Sequence, residues 1–445
     1  MDAVTLARIQ FGITAGFHFL FPPLSIGLGW LLVWFAGRWK KTGSDEDEKV
    51  FRFWLRLFAL TFAVGVATGI TLEFEFGMNW AEYSRYVGDI FGAPLAAEGI
   101  LAFFLESTFL GVLLFGWGRL SRRALWFSAL MVAVGATLSA FWIIVANSWQ
   151  QTPAGYETVG GRAELADFWQ AVFNPSTLPR YFHTVCAALI AGAFFAFGVS
   201  AHLLRSGRAR EFAKKSIVPA VVLAAASSFA ELPLGHWHAV QVAHTQPAKL
   251  AAMEGLFATR KQAPLLLFGI PDTEQRRVVA EVSIPGGLSL LAVGDTAAEV
   301  KGLDAFARDD WPPVLPTFAS FHLMFVLGML FIGFSGLSLL LLRGGRLFES
   351  SLGRLVLRLA PFMIPLPLAA SELGWITAEM GRQPWIVHGL LRTSQAASKA
   401  VPAWQVGFSI GAYVLVYLLL GALWIYLVAR TVRSAGTLSG AATEG

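Results

Sequence analysis

Apolar positions in this chain do not alternate with polar ones at the period of a surface helix or a half-buried strand. They run on for twenty residues and more, and they do so nine times. The runs fall near residues 9–37, 53–79, 93–118, 124–148, 181–204, 216–235, 316–342, 355–380 and 404–429. A hydrocarbon layer about 30 Å thick needs about 20 residues of helix to cross it. Each run therefore predicts a transmembrane helix, since only a helix or a closed barrel satisfies its own backbone in lipid. The predicted fold class is an all-α polytopic bundle of about nine spans. Prolines in the first and eighth runs are compatible with this, because neighbouring helices re-satisfy the freed carbonyls. The connection at 236–315 is too polar to span and too long for an ordinary loop. Its apolar clusters, LLLFGI at 265–270 and LSLLAV at 288–293, predict a folded cap. The chain thus divides into 1–235 (helices 1–6), 236–315 (cap) and 316–445 (helices 7–9 and a tail), with no internal repeat.

Basic residues choose the sides. Connections after the odd-numbered helices carry Arg38, Lys40, Lys41, Lys49 and Arg52; Arg119, Arg122 and Arg123; Arg205, Arg208, Arg210, Lys214 and Lys215; Arg343, Arg346 and Arg354. The connections after helices 2, 4 and 8 are sparse, with Arg85, Arg162, Arg382, Arg392 and Lys399. The N-terminus and the 236–315 loop are expected outside, and the tail with Arg430 and Arg433 inside. Asp2 and Arg8 do not fit a cleaved signal, so the first span is expected to be retained.

Composition agrees: 56% hydrophobic and 14% charged residues, with a mean hydropathy of +0.59. A net charge of +5 gives no support for nucleic-acid binding. The single cysteine, Cys186, excludes an internal disulfide, a CxxC centre, covalent c-type haem and a four-cysteine iron–sulfur cluster.

Ionisable groups at bilayer depth cost roughly 2.5–3.5 kcal/mol on insertion scales, so each one inside a run is a candidate site. They are His18 in helix 1, Glu73 and Glu75 in helix 2, Glu98 and Glu106 in helix 3, His183 in helix 5, His322 in helix 7, and Glu372 and Glu379 in helix 8. Glu372, Trp375, Glu379 and Arg382 stand at i, i+3, i+7 and i+10, one stripe on one face. Glu98 and Glu106 lie about 80° apart on a regular helix, and Ser139 and Asn147 repeat that offset on helix 4. Such a track suits proton conduction. A histidine and a methionine from different helices suit the axial positions of a low-spin haem. Each residue also has a plainer account: a helix–helix hydrogen bond for a membrane histidine, core filling for a methionine, an interfacial position for Glu73 and Glu75, an aromatic belt for Trp375 and Trp385, snorkelling for Arg382.

The segments RIQFGITAGFHFLFPPL (8–24), GVATGITLEFEFGMNW (65–80), YVGDIFGAPLAAEGILAFFLEST (86–108), LSAFWIIVANSW (138–149), HTV (183–185), QPAKLAAMEG (246–255), LFGIPD (267–272) and GRQPW (381–385) are long and ordered. With them the chain resembles subunit I of the bd-type quinol oxidases, almost end to end. The resemblance implies two b haems and a haem d, or a third haem b, at the oxygen site. It implies His18 as axial ligand of the oxygen-site haem, His183 and Met324 as the axial pair of the low-spin haem b, and Glu379 as ligand of the high-spin haem b. Glu98, Glu106 and Ser139 would bring protons to the oxygen site, and Lys249 and Glu254 would bind quinol in the outer loop, the family's Q loop. Trp375 would pack on a porphyrin, Arg382 would pair with a propionate, and Pro384 would end the helix. Where the family commonly has Arg two residues before the axial Met, this chain has His322, a spare imidazole. His236, His238 and His244 are expected to be exposed or beside quinone, with a metal site as the alternative.

The implied activity is oxidation of membrane quinol at the outer face with reduction of dioxygen to water. Proton-motive force would arise by charge separation, without pumping, in the bacterial cytoplasmic (inner) membrane. The implied partners are a second membrane subunit and, optionally, a small single-span one. Two rival readings are a proton-coupled secondary transporter and a non-catalytic homologue serving in assembly.

Overall fold

The computed structural model describes residues 1–207 and 209–435. Arg208 and the end of the Ser/Gly/Ala-rich tail, both used in the charge and composition reading, lie outside the described residues. Among the described residues, eight helices are long and apolar enough to cross a membrane, and a pair bent by 46° makes a ninth.

The first span joins α1 (Ala3–Phe19) to α2 (Phe21–Thr42), with prolines in the first turn of α2, where a missing N–H costs little. Helix α3 (Asp45–Met78) starts before its apolar run because Ser44 caps it and Asp45, Glu46, Asp47 and Glu48 sit on the positive end of its dipole. The third span also begins earlier than expected. Helix α4 (Ala81–Ala97) passes through a π-helical stretch, Glu98–Phe103, into α5 (Phe104–Phe115). Polar residues hid the start of α4, but its face of Tyr83, Val87, Ile90 and Phe91 is buried against Trp149 and Ala163.

Helix α6 (Arg122–Gln151) leads to a hairpin of β1 (Tyr156–Val159) and β2 (Arg162–Leu165), then to α7 (Phe168–Val172) and α8 (Thr177–Arg205). Helix α9 (Arg210–Thr245) overruns the expected end at 235, continuing through Pro233. His236, His238 and His244 are therefore helical and not part of the loop. The cap that follows contains α10 (Pro247–Met253), β3 (Arg260–Lys261), β4 (Leu265–Asp272), β5 (Arg277–Ile284), α11 (Gly287–Val293) and β6 (Glu299–Val300). Strands β4 and β5 pair antiparallel, as do β3 and β6. Of the two apolar clusters, LLLFGI lies in β4 and LSLLAV in α11; Leu266, Leu288 and Ala292 are buried, while Leu267, Phe268, Ile270, Leu290, Leu291 and Val293 stay exposed. The cap has its own core, in which Leu250, Leu256, Phe257, Leu288 and Leu303 pack together.

The chain returns as α12 (Val314–Leu342), α13 (Arg346–Glu349), α14 (Ser351–Leu359) and α15 (Pro365–Met380). A 3₁₀ turn at Ala360–Met363 bends the α14–α15 span beside Pro361 and Pro365. A short hairpin of β7 (Trp385–Val387) and β8 (Leu391–Arg392), then α16 (Thr393–Ala396), lead to α17 (Ala403–Ser434).

Lipid removes the hydrophobic drive between helices, so close packing of small residues has to hold them. Helices α2 and α8 meet through Gly27 and Gly192, where a Cβ on Gly27 would fall 2.4 Å from the Ala188 carbonyl oxygen. The apolar stretch of α8 is 78% buried and that of α17 only 6%, which puts α8 at the centre and α17 at the rim.

Candidate functional site

The candidate residues gather into three neighbourhoods. In the first, His18 on α1 faces Thr68 of α3, with Nδ1 2.9 Å from Thr68 Oγ1. That hydroxyl spends its proton on the Val64 and Gly65 carbonyls, at 2.9 and 3.0 Å. With the proton so placed the hydroxyl accepts from the imidazole, which puts the His18 proton on Nδ1 and leaves the Nε2 lone pair free. A Cβ at Gly69 would lie 3.2 Å from His18 Cε1, so the glycine makes room for the ring. This donor set and tautomer fit an axial haem ligand. Glu372 of α15 approaches from the other side, with Oε2 3.4 Å from where a Cβ on Gly16 would be and with Oε1 buried and unpartnered.

Glu98 and Glu106 both reach α6. Ser139 donates to Glu98 Oε1 at 2.7 Å. The buried Glu106 packs on Gly135, one turn away, where a Cβ would come within 3.0 Å of its own Cβ. The angular offset expected for a regular helix does not hold, because Glu98 opens the π-helical stretch and its wider turn re-aims the side chain. Glu75 is fully buried within the protein and accepts from Thr14 Oγ1 at 3.0 Å, since α1 packs over that end of α3. Glu73 points outward.

The second neighbourhood is centred on Glu379. Its carboxylate pairs with Arg382 on one side and accepts from Asn147 Nδ2 at 3.1 Å on the other. Arg382 also donates to Gln150 Oε1 at 2.6 Å and to the Trp385 carbonyl at 3.3 Å. Arg180, which donates to the Asn147 side chain, was not singled out in the sequence. Its signal was available: a guanidinium one turn before His183 at the start of an apolar run. Trp375 is half-buried on the same helix. Helix α15 ends at Met380, four residues before Pro384, so the proline follows the stop and does not make it.

Lys249 joins this cluster from the cap. Its side chain crosses Gly381, where a Cβ would lie 2.7 Å from Lys249 Cγ, and its Nζ donates to Gln151 Oε1 at 2.5 Å and Gln246 Oε1 at 2.7 Å. Burial, with the nearby Arg180 and Arg382, pushes the Lys249 ammonium well below the usual lysine range. Gln151 in turn reaches the Ala378 carbonyl at 3.4 Å, the residue before Glu379. Glu254, at the end of α10, is buried, with Oε2 unpartnered. Burial pushes its carboxyl up to about 8, with only the Leu266 backbone pulling down. Gln151 and Gln246 are further members of this site that lay unremarked in SWQQ and TQPAK, because neither residue type is costly enough alone to draw notice.

In the third neighbourhood, His183 on α8 and Met324 on α12 flank the region that α9 packs against. Met324 rests its sulfur on α15, where a Cβ at Gly374 would be 2.9 Å away. His183 Nδ1 lies 2.6 Å from Glu231 Oε1 of α9. His238 stands beside it, with ring centroids 5.3 Å apart, while His236 and His244 are exposed. His322 is not a spare imidazole. Its ring nitrogens meet the Phe318 and Leu266 carbonyls at 3.0 and 3.1 Å, tying α12 to β4, and its ring stacks on Phe318. The glycine seat for Met324 and the unengaged side of His183 fit a haem held between two helices.

Comparison with known proteins agrees with this arrangement. The family model described as cytochrome bd terminal oxidase subunit I matches residues 6–436. The chain is 39% identical to the cytochrome bd ubiquinol oxidase subunit 1 of Bacillus subtilis, over 97% of this chain and 94% of that protein. It is 35% identical to the cytochrome bd-II ubiquinol oxidase subunit 1 of Escherichia coli, over 97% and 96%. The solved bd oxidase of Geobacillus thermodenitrificans superposes with a TM-score of 0.90 at 29% identity, covering 97% of this chain and 98% of its own. The transporter reading is thereby set aside. The chain belongs to the cytochrome bd terminal oxidase subunit I family, and with it to the haem-bearing, multi-pass membrane subunits of a quinol:oxygen oxidoreductase.

Proposed function

We propose that this chain carries both ends of the reaction, taking electrons and protons from quinol beside Lys249 and Glu254 and delivering protons to the oxygen site at His18. His18 would hold the oxygen-site haem, of type d or b. His183 and Met324 would hold a low-spin haem b, and Glu379 a high-spin haem b, with Trp375 and Arg382 beside the macrocycles. Bound there, the haems supply one-electron transfer and the reduction of dioxygen. Everything else is done by the chain. Lys249 and Glu254 orient the quinol hydroxyls, and Glu254 takes a proton from one of them. Glu106, Ser139 and Glu98 pass protons along the α5–α6 seam toward His18. Arg382 and Asn147 hold the Glu379 carboxylate directly, and Arg180 holds Asn147.

The basic connections argue for a cytoplasmic C-terminus in a bacterial inner membrane, with the cap and the quinol site outside. Protons released outside and taken up inside then separate charge without a pump. A second membrane subunit, and a small single-span one, would complete the oxidase. The apolar faces left open on α17 are compatible with such neighbours or with lipid. Retention of every candidate ligand speaks against a non-catalytic scaffold.

The observation that carries this proposal is the Lys249–Gln151 contact, which puts Lys249 within one side chain of the Glu379 cluster. The test is the absorption spectrum of the assembled oxidase with and without dithionite, for the unmodified chain and for His183→Ala. The unmodified protein should show haem bands, and the variant should lose the low-spin b component alone. A protein without haem, or a variant with an unchanged spectrum, refutes the proposal.

A further inference from the structure

Glu231 has no role in the site as described so far, yet it is the polar group nearest to a candidate ligand. It lies on α9 with Gly235 and His238 at i+4 and i+7, a single stripe facing α8. His183 sits against all three. Glu231 Oε1 is 2.6 Å from Nδ1. A Cβ on Gly235 would be 3.7 Å from the ring. The His238 ring meets it edge-on, with centroids 5.3 Å away. The contact is an ion pair and not a hydrogen bond: Nδ1 is buried without a hydrogen-bond partner, and so is the second oxygen of Glu231.

We infer that Glu231 is the positioning residue for His183, fixing the imidazole with Nδ1 toward α9 and Nε2 toward the haem, and setting the low-spin haem's potential through its charge. This rests on the assignment of His183 as an axial ligand. The physics is general. A carboxylate on the distal nitrogen fixes tautomer and ring plane and makes the ligating nitrogen more electron-rich. Electron density pushed toward the iron favours the ferric state, so the couple is held lower than a lone imidazole would hold it. A buried negative charge this close to the ring acts in a low dielectric, where it counts for more than in water. Gly235 lies against the same ring, where a Cβ would sit in ordinary contact at 3.7 Å. The ordinary alternative for a glutamate here is helix–helix packing with no electronic consequence.

The test uses the complete oxidase with Glu231→Gln, Glu231→Ala and His183→Ala, read by optical redox titration of the low-spin b band. Glu231→Gln keeps an acceptor and drops the charge. It should keep the low-spin spectrum and shift the couple upward by about tenfold in the reduction equilibrium, about 59 mV for one electron. Glu231→Ala frees the ring as well. Its shift should be at least as large, and its low-spin band should broaden or diminish while the oxygen-site spectrum persists as a folding control. A shift under about threefold in Glu231→Gln overturns the inference, and this variant decides alone if Glu231→Ala does not assemble. His183→Ala separates the two claims. If it keeps the low-spin band, the ligand assignment has failed; if it loses the band and Glu231→Gln shifts nothing, only the inference has.

Discussion

Glu254 offers the sharpest quantitative prediction. It is 4% exposed and has one carboxylate oxygen without a partner. Burial moves its carboxyl from 4.5 up to about 8. A displacement of that size corresponds to roughly 5 kcal/mol in favour of the neutral form, at about 1.36 kcal/mol per pH unit. The sign follows directly. Below about 8 the group is protonated, so at pH 7 only about a tenth of the molecules carry the carboxylate able to take a proton from quinol. If that carboxylate is the base, kcat/KM for quinol falls about tenfold for each pH unit below 8 and flattens above it. Glu254→Gln removes the base and keeps the volume, so it should lower kcat/KM by roughly a hundredfold or more. Its remaining activity should lose the inflection. The assay is oxygen consumption by the assembled oxidase with a short-chain quinol, from about pH 6 to about pH 9. Dithionite reduction of the haems serves as a control that bypasses quinol. An unchanged inflection in Glu254→Gln, or unaltered kcat/KM, would refute the assignment of Glu254 as base.

Two further outcomes test the proton path and the packing. Glu106→Gln or Glu98→Gln should slow oxygen reduction by roughly a hundredfold while quinol still reduces the low-spin haem at its normal rate, measured by stopped flow; equal loss in both steps argues against a path along α6. Gly27→Val puts a branched side chain where even a Cβ would sit 2.4 Å from the Ala188 carbonyl. It should cost about 1–3 kcal/mol and lower the thermal midpoint of the purified oxidase, and an unchanged midpoint would mean that α2 and α8 are not held this close.

The spans were legible in the chain because lipid imposes one rule on every residue: a long apolar run must close its own hydrogen bonds. The errors fell where that rule lapses. Helix α4 begins in a polar surface stretch whose buried face is short, and α9 runs on past its apolar stretch without ceasing to be a helix. The cap was legible as a folded segment, since apolar clusters inside a polar loop need a core, but its hairpin and helix pairings were not. Among the candidate site residues, His18, Glu98, Glu106, His183 and Glu379 announced themselves through the cost of placing them in lipid. Arg180, Gln151 and Gln246 did not, as their importance lies in whom they touch.

What the sequence determined alone, then, was the number of long apolar helices and the set of costly side chains in need of partners. Tertiary structure alone decided the pairings: Lys249 passing over Gly381 to Gln151, His18 given its tautomer by Thr68, His322 committed to the Leu266 carbonyl, Glu231 set against His183. The reason is physical. Transfer into lipid is a property of each residue and sums along the chain, whereas hydrogen bonds and ion pairs depend on distances between helices far apart in sequence, which only their packing sets.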